Sequence, residues 1–403
     1  MVTALGDTLH AMKVAHYNTP PTPQPAGPHT CCVVTETYPP EVNGVAMTLE
    51  RLTRGLLARG HQVQLVLPQR DDRVIADAAS MTVATVPGLP LPGYPAMRFG
   101  LPWIGELRRT WTRQRPDVIY VATQGPLGWA VLREAKRWKI PVVSGFHTNF
   151  HDYSKHYRIG WLESSVVHYL RYFHHQTRYT LVPTPDMSRR VSKLGIGNAR
   201  VLGRGVDTEL FDPRRRSALL RGYWGADETA PVMMYVGRLA AEKNLDLVVR
   251  AARQAMTVEP QARMVFVGDG PEERRLRREN PDFTFCGAQR GEVLGTHYAS
   301  GDVFLFPSLT ETFGNGILEA MASGLAVVAY DTAAANLHIR SGATGVTVEP
   351  DDETGFCNCA AALVADRKFR HALGLAARRH AEQHGWAGIV AAFESLLCSV
   401  VAA

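Results

Sequence analysis

The feature that most constrains the fold is a strand, a glycine-containing loop and a helix in direct succession between residues 302 and 324. Asp302 to Phe306 form a short, largely apolar run bounded by turn formers, which predicts a buried strand. From Gly316 onwards, apolar residues recur at helical spacing until Gly324 ends the pattern. A helix that begins behind such a turn presents unbonded backbone N–H groups and the positive end of its dipole, so the segment predicts a site for phosphate oxygens.

Two glutamates flank this predicted phosphate site. Glu311 lies in the loop before the helix, and Glu319 lies about one turn inside it. The two carboxylates can therefore contact parts of a ligand on opposite sides of the bound phosphate. Carboxylates accept hydrogen bonds and sugar hydroxyls donate them, so the pair indicates a sugar-containing ligand. The alternative is that both glutamates belong to a solvated helix face.

Two motifs together carry a family resemblance. The first is Pro-Ser-x-x-Glu-x-Phe-Gly-x-x-x-Leu-Glu-Ala-Met-Ala-x-Gly from Pro307 to Gly324, and the second runs from Val236 to Asn244. They resemble the retaining nucleotide-sugar glycosyltransferases of family 4, including bacterial GDP-mannose-dependent α-mannosyltransferases and sulfolipid-synthase-like diacylglycerol glycosyltransferases. The resemblance implies an α/β protein with the GT-B fold, in which two Rossmann-like, doubly wound parallel-sheet domains face a central cleft.

Length and composition limit the number of domains and the class of protein. The 403 residues are too many for one ordinary core and predict two or three domains. The fractions of 45% hydrophobic and 20% charged residues fit a soluble α/β protein. No run approaches the ~18 to 20 apolar residues that span a bilayer. Six cysteines without zinc-finger spacing predict free, buried thiols in a reducing cytoplasm.

The order of the predicted elements divides the chain. Residues 1–28 end in a proline-rich run and lack the basic start and apolar core of an export signal, so they predict a disordered leader and not an export signal. Residues 29–205 begin with strand, loop, helix and strand, which predicts a first doubly wound domain on the acceptor side. Residues 206–385 predict the nucleotide-sugar-binding domain, and 386–403 a terminal helix that GT-B enzymes usually return to the first domain. The proline-broken stretch from Leu89 to Pro95 predicts a loop.

The resemblance assigns roles to two residues of the first domain. Gly44 lies in the position of the family's first glycine loop, where the lack of a side chain lets the backbone approach the donor diphosphate. The family often has two glycines here, whereas this chain has Asn43 at the first; the alternative is an ordinary strand-to-helix turn. His147 follows a predicted strand, and in the family a histidine there touches the transferred sugar. The alternative is a polar surface residue, because six histidines occur from His147 to His175.

Two cations of the second domain are the predicted diphosphate ligands. Arg238 and Lys243 follow the strand from Val232 to Val236 and would flank the cleft. A leaving diphosphate gains negative charge as the glycosidic bond breaks, so fixed cations beside it stabilise the transition state selectively. The alternative is a surface ion pair with Glu242.

The resemblance also gives the remaining donor contacts. Glu311 would hold hydroxyls of the transferred sugar, and Glu319 would bind the ribose. Backbone N–H groups of Phe313, Gly314 and Asn315 would bind sugar and phosphate. No Asp-x-Asp motif lies near the predicted cleft, so no metal and no cofactor are expected, and the nucleotide-sugar is a co-substrate.

Positive charge is concentrated in the first domain. Between Arg98 and Arg216 there are 21 Lys and Arg against nine Asp and Glu. Aromatic and histidine residues (Tyr153, His156, Tyr157, Trp161, Tyr169, Tyr172 and Phe173) alternate there with Lys155, Arg158, Arg171 and Arg178. Basic and interfacial aromatic side chains bind anionic membranes, so the sequence predicts a cytoplasmic enzyme that lies on the inner face of the membrane and glycosylates a lipid. A basic face that is merely solvated is the alternative.

Other classes of function remain open from the sequence. These are a transferase for a soluble or polysaccharide acceptor, a nucleotide-sugar epimerase on the same fold, and a sugar-nucleotide binding module without catalysis. No recognised nucleic-acid-binding module accompanies the basic charge, so a nucleic-acid partner is not expected. Donor sugar, base, linkage and oligomeric state are not encoded in any of these patterns.

Overall fold

The structure is a computed structural model that describes residues 27–41, 43–69, 80–91, 94–147 and 160–402. Almost all of the predicted leader therefore lies outside the described residues. In chain order the strands are β1 (Thr30–Val34), β2 (Gln62–Pro68), β3 (Met81–Val86), β4 (Gly88–Leu91), β5 (Tyr94–Gly100), β6 (Val118–Val121), β7 (Val142–Gly145), β8 (Tyr179–Val182), β9 (Ala199–Val201), β10 (Val232–Val236), β11 (Arg263–Val267), β12 (Thr284–Phe285), β13 (Val303–Phe306), β14 (Ala326–Tyr330) and β15 (Val346–Val348).

Helices connect these strands. They are α1 (Gly44–Ala58), α2 (Gly105–Arg113), α3 (Pro126–Trp138), α4 (Gly160–His175), α5 (Pro185–Lys193), α6 (Ala218–Tyr223), α7 (Leu245–Val258), α8 (Glu273–Glu279), α9 (Gly291–Ser300), α10 (Asn315–Ala322), α11 (Ala333–His338), α12 (Glu353–Ala365), α13 (Arg367–Glu382) and α14 (Trp386–Val401). Among the described helices, none is both long and apolar enough to cross a membrane.

Two parallel sheets organise the chain, as the predicted fold class requires. The first has the order β3-β2-β1-β6-β7-β8-β9, and the second has the order β12-β11-β10-β13-β14-β15. The strand order reverses between β1 and β6 in the first sheet and between β10 and β13 in the second. In such open sheets, ligands bind beyond the carboxyl ends of the strands at the point of reversal. The topology therefore marks one ligand-binding edge on each sheet.

The predicted loop from Leu89 to Pro95 is wrong in part. Strands β4 and β5 pair antiparallel in this region, although residues 92 and 93 lie outside the described part of the chain. Prolines occur at both strands, which argued for a loop. In a two-stranded ribbon, however, each strand has one edge without a partner strand, so a missing backbone N–H at that edge breaks no sheet hydrogen bond.

The last helix, α14, packs on the first sheet. Its residue Phe393 is fully buried and meets Tyr120 of β6 edge to face, with ring centroids 5.0 Å apart. Gly55 of α1 permits the close approach, because a Cβ at this position would lie 2.4 Å from Val390 of α14. The carboxyl-terminal helix thus joins the end of the chain to the hydrophobic core of the first sheet.

All six cysteines carry free thiols, as predicted. Cys31, Cys32 and Cys357 are buried, whereas the other three are only half-buried. The predicted burial is therefore right for half of them.

Candidate active site

The candidate residues of the second sheet meet at its point of reversal. Arg238 and Lys243 follow the carboxyl end of β10, and Glu311 follows the carboxyl end of β13, the adjacent strand. Parallel strands deliver the segments after them to one edge, so residues far apart in sequence become neighbours. The structure brings these three predicted site residues together.

The predicted phosphate loop ends in a helix start with no side-chain cap. Gly314 precedes α10 with a φ of +90°, and no side chain among the described residues caps the helix. A residue other than glycine would be strained here, and its Cβ would also lie 3.2 Å from the ring of Phe306. Phe313 is buried, and its carbonyl oxygen accepts a hydrogen bond from the backbone of Ala334 at 2.8 Å. The loop is thereby held with the helix start at the edge of the sheet.

Lys243 and Glu311 form an ion pair. The Lys243 ammonium donates to Oε1 of Glu311 at 2.6 Å, and each side chain is 18% exposed. The predicted partners of these residues are separate, a phosphate for the lysine and a sugar for the glutamate. An ammonium has three donors and a carboxylate has two oxygens, so each group keeps capacity for a ligand while the pair is intact.

Arg238 is the more exposed cation. Its side chain is half-exposed and lies 4.0 Å from Glu242, so the alternative predicted from sequence, an ion pair with Glu242, is present in the structure. Tyr235 donates to the carbonyl oxygen of Arg238 at 3.2 Å and fixes the turn after β10. An exposed pair at this distance contributes about 0 to 1 kcal/mol to stability, so it opposes recruitment of Arg238 by a phosphate only weakly.

Glu319 is held by a residue that the sequence analysis did not single out. Tyr298 of α9 donates its hydroxyl to Oε2 of Glu319 at 3.0 Å. Burial raises the pKa of Glu319 to about 7, against the lowering effect of this hydrogen bond. The carboxyl group therefore titrates near neutral pH, and its ionised form, the better acceptor for hydroxyl groups, gains as pH rises through 7.

The glycine loop of the first sheet faces the phosphate loop of the second. A Cβ at Gly44 would lie 3.4 Å from Nδ2 of Asn315, so the two loops approach across the cleft. Asn43, which stands where the family often has glycine, caps α1: its Oδ1 accepts from Val45 at 3.1 Å and from Ala46 at 2.8 Å. Its side-chain oxygen is thus committed to the helix start, while its Nδ2 donates to the Thr37 hydroxyl at 2.7 Å.

His147 lies in a polar cluster at the carboxyl end of β7. Its Nδ1 accepts from Arg204 at 3.3 Å, and its Nε2 pairs with the Tyr120 hydroxyl at 2.9 Å. Burial, together with the Arg204 charge, keeps the pKa of His147 well below its ordinary value, so the ring is neutral. Both of its nitrogens have protein partners here. The contact with a transferred sugar remains a prediction.

Arg204 stands where the family usually has asparagine. It is only 4% exposed, burial lowers its pKa to about 10, and its Nη1 has no hydrogen-bond partner among the described residues. A buried guanidinium with an unused donor is costly unless a ligand completes it. Arg204 is accordingly a candidate ligand-binding residue that was not among those predicted from the sequence.

A cavity of about 560 Å³ opens beside the reversal point of the first sheet. Its walls are Gln124, Gly125, Pro126, Trp129 and Tyr169. A Cβ at Gly125 would lie 2.2 Å from a carboxylate oxygen of Glu36, so this carboxyl group adjoins the cavity wall. Burial raises the pKa of Glu36 to about 7. The cavity is therefore largely aromatic and aliphatic, with one protonatable group at its margin.

Family models match both halves of the chain. A model described as Glycosyltransferase Family 4 matches residues 42–210, and a model described as Glycosyl transferases group 1 matches residues 230–366. The chain is 32% identical over 365 residues to the GDP-mannose-dependent alpha-mannosyltransferase of Mycolicibacterium smegmatis, covering 88% of this chain and 93% of that one.

Two further relatives differ in how much of their length is matched. Identity to the sulfoquinovosyl transferase SQD2 of Arabidopsis thaliana is 32% over 306 residues, or 74% of this chain, and the match spans 59% of that longer protein. Identity to the alpha-monoglucosyldiacylglycerol synthase of Streptococcus pneumoniae is 26%, covering 73% of this chain and 70% of that one.

Solved structures with low sequence identity share the fold. Sucrose-phosphate synthase from Thermosynechococcus elongatus superposes with a TM-score of 0.75 at 18% identity, covering 93% of this chain and 99% of that one. HepE from Anabaena superposes with a TM-score of 0.70 at 18% identity, covering 92% of this chain and 100% of that one. The predicted GT-B fold is confirmed.

Proposed function

This chain belongs to glycosyltransferase family 4, and from that premise we propose that it is a retaining hexosyltransferase that uses GDP-mannose or a UDP-sugar as donor and a membrane lipid as acceptor. Different relatives support the proposed donor and the proposed acceptor. One is named for GDP-mannose, and another is named for the synthesis of a glucosylated diacylglycerol.

The observation that carries the proposal is the convergence of opposite charges at the reversal point of the second sheet. The Lys243–Glu311 pair, Arg238 and the uncapped start of α10 lie at one edge. Cations and free backbone N–H groups suit the diphosphate of a donor, and a carboxylate suits its sugar hydroxyls. Such fixed groups act on the charge that develops during transfer, because they are oriented before the reaction begins.

Transfer with retention requires no protein nucleophile in the route we propose. The acceptor hydroxyl attacks the anomeric carbon from the face that the diphosphate leaves. The bond from this carbon to the diphosphate oxygen breaks, the bond to the acceptor oxygen forms, and the hydroxyl proton passes to a phosphate oxygen of the leaving group. Arg238 and Lys243 stabilise the leaving diphosphate, and Glu311 orients the sugar.

The first sheet supplies the features that favour a lipid acceptor. The cavity beside Glu36 is walled mainly by Trp129, Tyr169 and Pro126, which suits an acyl or glycerol group. After the antiparallel pair β4–β5, Trp103 is 68% exposed. It lies two residues before α2, which carries Arg108, Arg109 and Arg113. An exposed tryptophan beside basic residues is typical of a protein that lies at a lipid–water interface.

The structure narrows the predicted membrane-binding stretch between Tyr153 and Arg178. Residues 153–158 lie outside the described residues. Phe173 is fully buried in the core, so its ring is not available to a membrane, whereas the half-buried Tyr169 donates its hydroxyl to the carbonyl of Gln124 at 2.6 Å and lines the cavity. Tyr172, at 56% exposed, and the exposed Arg171 remain accessible.

A transfer assay tests the proposal. GDP- and UDP-sugars are offered with and without vesicles that contain diacylglycerol or phosphatidylinositol, and nucleoside diphosphate and glycolipid are measured. Product sugar with the anomeric configuration of the donor supports a retaining transferase. Conversion of donor without any acceptor would indicate the epimerase alternative, and transfer only to soluble sugars would remove the lipid acceptor.

Membrane binding should depend on charge. We expect the protein to sediment with anionic vesicles at low salt and to be released at high salt, because each basic residue near the surface contributes about 1 kcal/mol and salt screens it. Arg113→Glu, at the exposed end of α2, should weaken sedimentation, whereas Arg274→Glu on the second domain should not. Equal sedimentation with neutral and anionic lipid, or none with either, would contradict charge-guided binding.

Catalysis should not need magnesium. The candidate diphosphate site offers Arg238, Lys243 and helix N–H groups in place of a metal, so we expect the transfer rate in excess chelator to stay within about twofold of the untreated rate. The rate is measured before and after chelator, with Mg²⁺ or Zn²⁺ added back separately. A loss that magnesium restores would contradict the assignment of the cations.

A further inference from the structure

Three histidines converge behind the candidate donor loop. His338 ends α11, His380 lies in the last turn of α13, and His384 follows that helix just before α14. Ligand nitrogens from the three rings all lie within 4.8 Å of one another. None of these residues has a role in the proposed transfer.

Two of the three rings are already at the spacing of metal ligands. Nδ1 of His338 and Nε2 of His380 share a hydrogen bond at 3.3 Å. Four ligands at about 2.0–2.1 Å from a tetrahedral ion are about 3.3–3.4 Å apart, so this pair already has the required separation. A half-buried third ring, His384, needs a shift of about an ångström to complete the set.

The other nitrogens of the trio differ in their partners. Nδ1 of His384 pairs with the backbone carbonyl of His380 at 2.8 Å, which leaves its Nε2 for a ligand. Metal-binding histidines usually donate their second N–H to such a carbonyl or carboxylate. His338 is 4% exposed, and its Nε2 has no hydrogen-bond partner among the described residues. An ion bound at Nδ1 would leave this Nε2 unpaired, so the site rests on the spacing of the three rings and on the orientation of His384.

We propose that His338, His380 and His384 bind one divalent transition-metal ion, for which Zn²⁺ is the natural probe. Three neutral imidazoles suit zinc, copper or nickel and are poor ligands for magnesium or calcium.

An ion at this site would connect segments of the chain that are far apart in sequence. The ring of His338 meets that of Phe313 edge to face, with centroids 5.9 Å apart, and Phe313 belongs to the loop before α10. The carbonyl oxygen of His384 accepts from Val206 at 3.0 Å, in the segment that connects the two sheets. A bound ion would therefore join the donor loop, α13 and the return to the first sheet. This inference is independent of the proposed function.

Zinc titration of the full-length protein tests the proposed metal site. After dialysis against chelator, we expect calorimetry to show one Zn²⁺ per chain with a Kd at or below the micromolar range, and a higher melting temperature in excess Zn²⁺. His380→Asn with His384→Asn should weaken binding at least ~100-fold, because two of three ligands are lost. His371→Asn, an exposed histidine on the same helix, is the matched control and should bind as the parent does.

A second measurement covers the case in which the double variant does not fold. Co²⁺ in the parent protein should give the intense visible absorption of a tetrahedral site, and Zn²⁺ should displace it. No saturable zinc binding, unchanged affinity in a folded double variant, or only the weak absorption of octahedral Co²⁺ would each overturn the proposal.

Discussion

Replacing Arg238 with alanine should lower the turnover number by about 100-fold or more, the scale on which loss of one oriented charge donor slows other enzymes. The side chain follows β10 at the reversal point of the second sheet and is half-exposed to the cleft. If it stabilises the leaving diphosphate, the loss falls on kcat, because charge on the diphosphate increases only as the glycosidic bond breaks. Steady-state rates with saturating donor measure this effect.

Matched variants separate catalysis from the surface ion pair. Glu242→Gln removes the partner of Arg238 in the structure and should leave kcat near the parental value. Arg238→Lys keeps the charge but loses the planar guanidinium, so we expect an intermediate rate. An Arg238→Ala enzyme that turns over like the parent would assign this arginine to the surface pair alone.

The largest effect on both activity and stability is expected at Lys243 and Glu311. Each is 18% exposed, so Lys243→Ala leaves a largely buried carboxylate without its cation, and Glu311→Ala leaves the ammonium without its anion. We expect each variant to lose about 100-fold or more in kcat/KM, because a diphosphate contact or a sugar contact goes with it. Donor titrations and thermal unfolding measure the two effects separately.

Exchanging the two charges distinguishes a structural pair from a catalytic one. In the double variant Lys243→Glu with Glu311→Lys, the ion pair can re-form, so the melting temperature should recover toward that of the parent. The rate should not recover, because the anion now faces the diphosphate and the cation faces the sugar. A charge-exchanged enzyme with near-parental kcat/KM would mean that the pair only holds the loop in place.

The short-range patterns determined much of the fold. Apolar runs and helical spacing gave the strand before Pro307 and the helix after Gly314, since both periods are properties of neighbouring residues. The same kind of argument failed between Leu89 and Pro95. Proline suggested a loop there, but the cost of a missing N–H depends on whether that edge of the strand has a partner, and only the tertiary structure decides this.

Partner choice at the site was decided by the tertiary structure. Lys243 and Glu311 are 68 residues apart, and Tyr298 and Glu319 are 21 apart. The sequence placed each glutamate near a predicted ligand by its position around one loop. It contained no signal for a protein partner, because those partners follow different strands or helices that meet only when the parallel sheet forms.

The amino-acid sequence by itself determined the doubly wound fold, the loop between Glu311 and Asn315 and the family. Only the tertiary structure decided that Asn43 caps a helix, that both nitrogens of His147 have protein partners, and that His338 lies beside the distant His380 and His384. The doubly wound start of the fold follows from the order of local sequence patterns, and the GT-B fold follows from the family resemblance. Charge pairing, burial and ligand geometry depend on distances between segments, and these are fixed by how the sheets and helices pack.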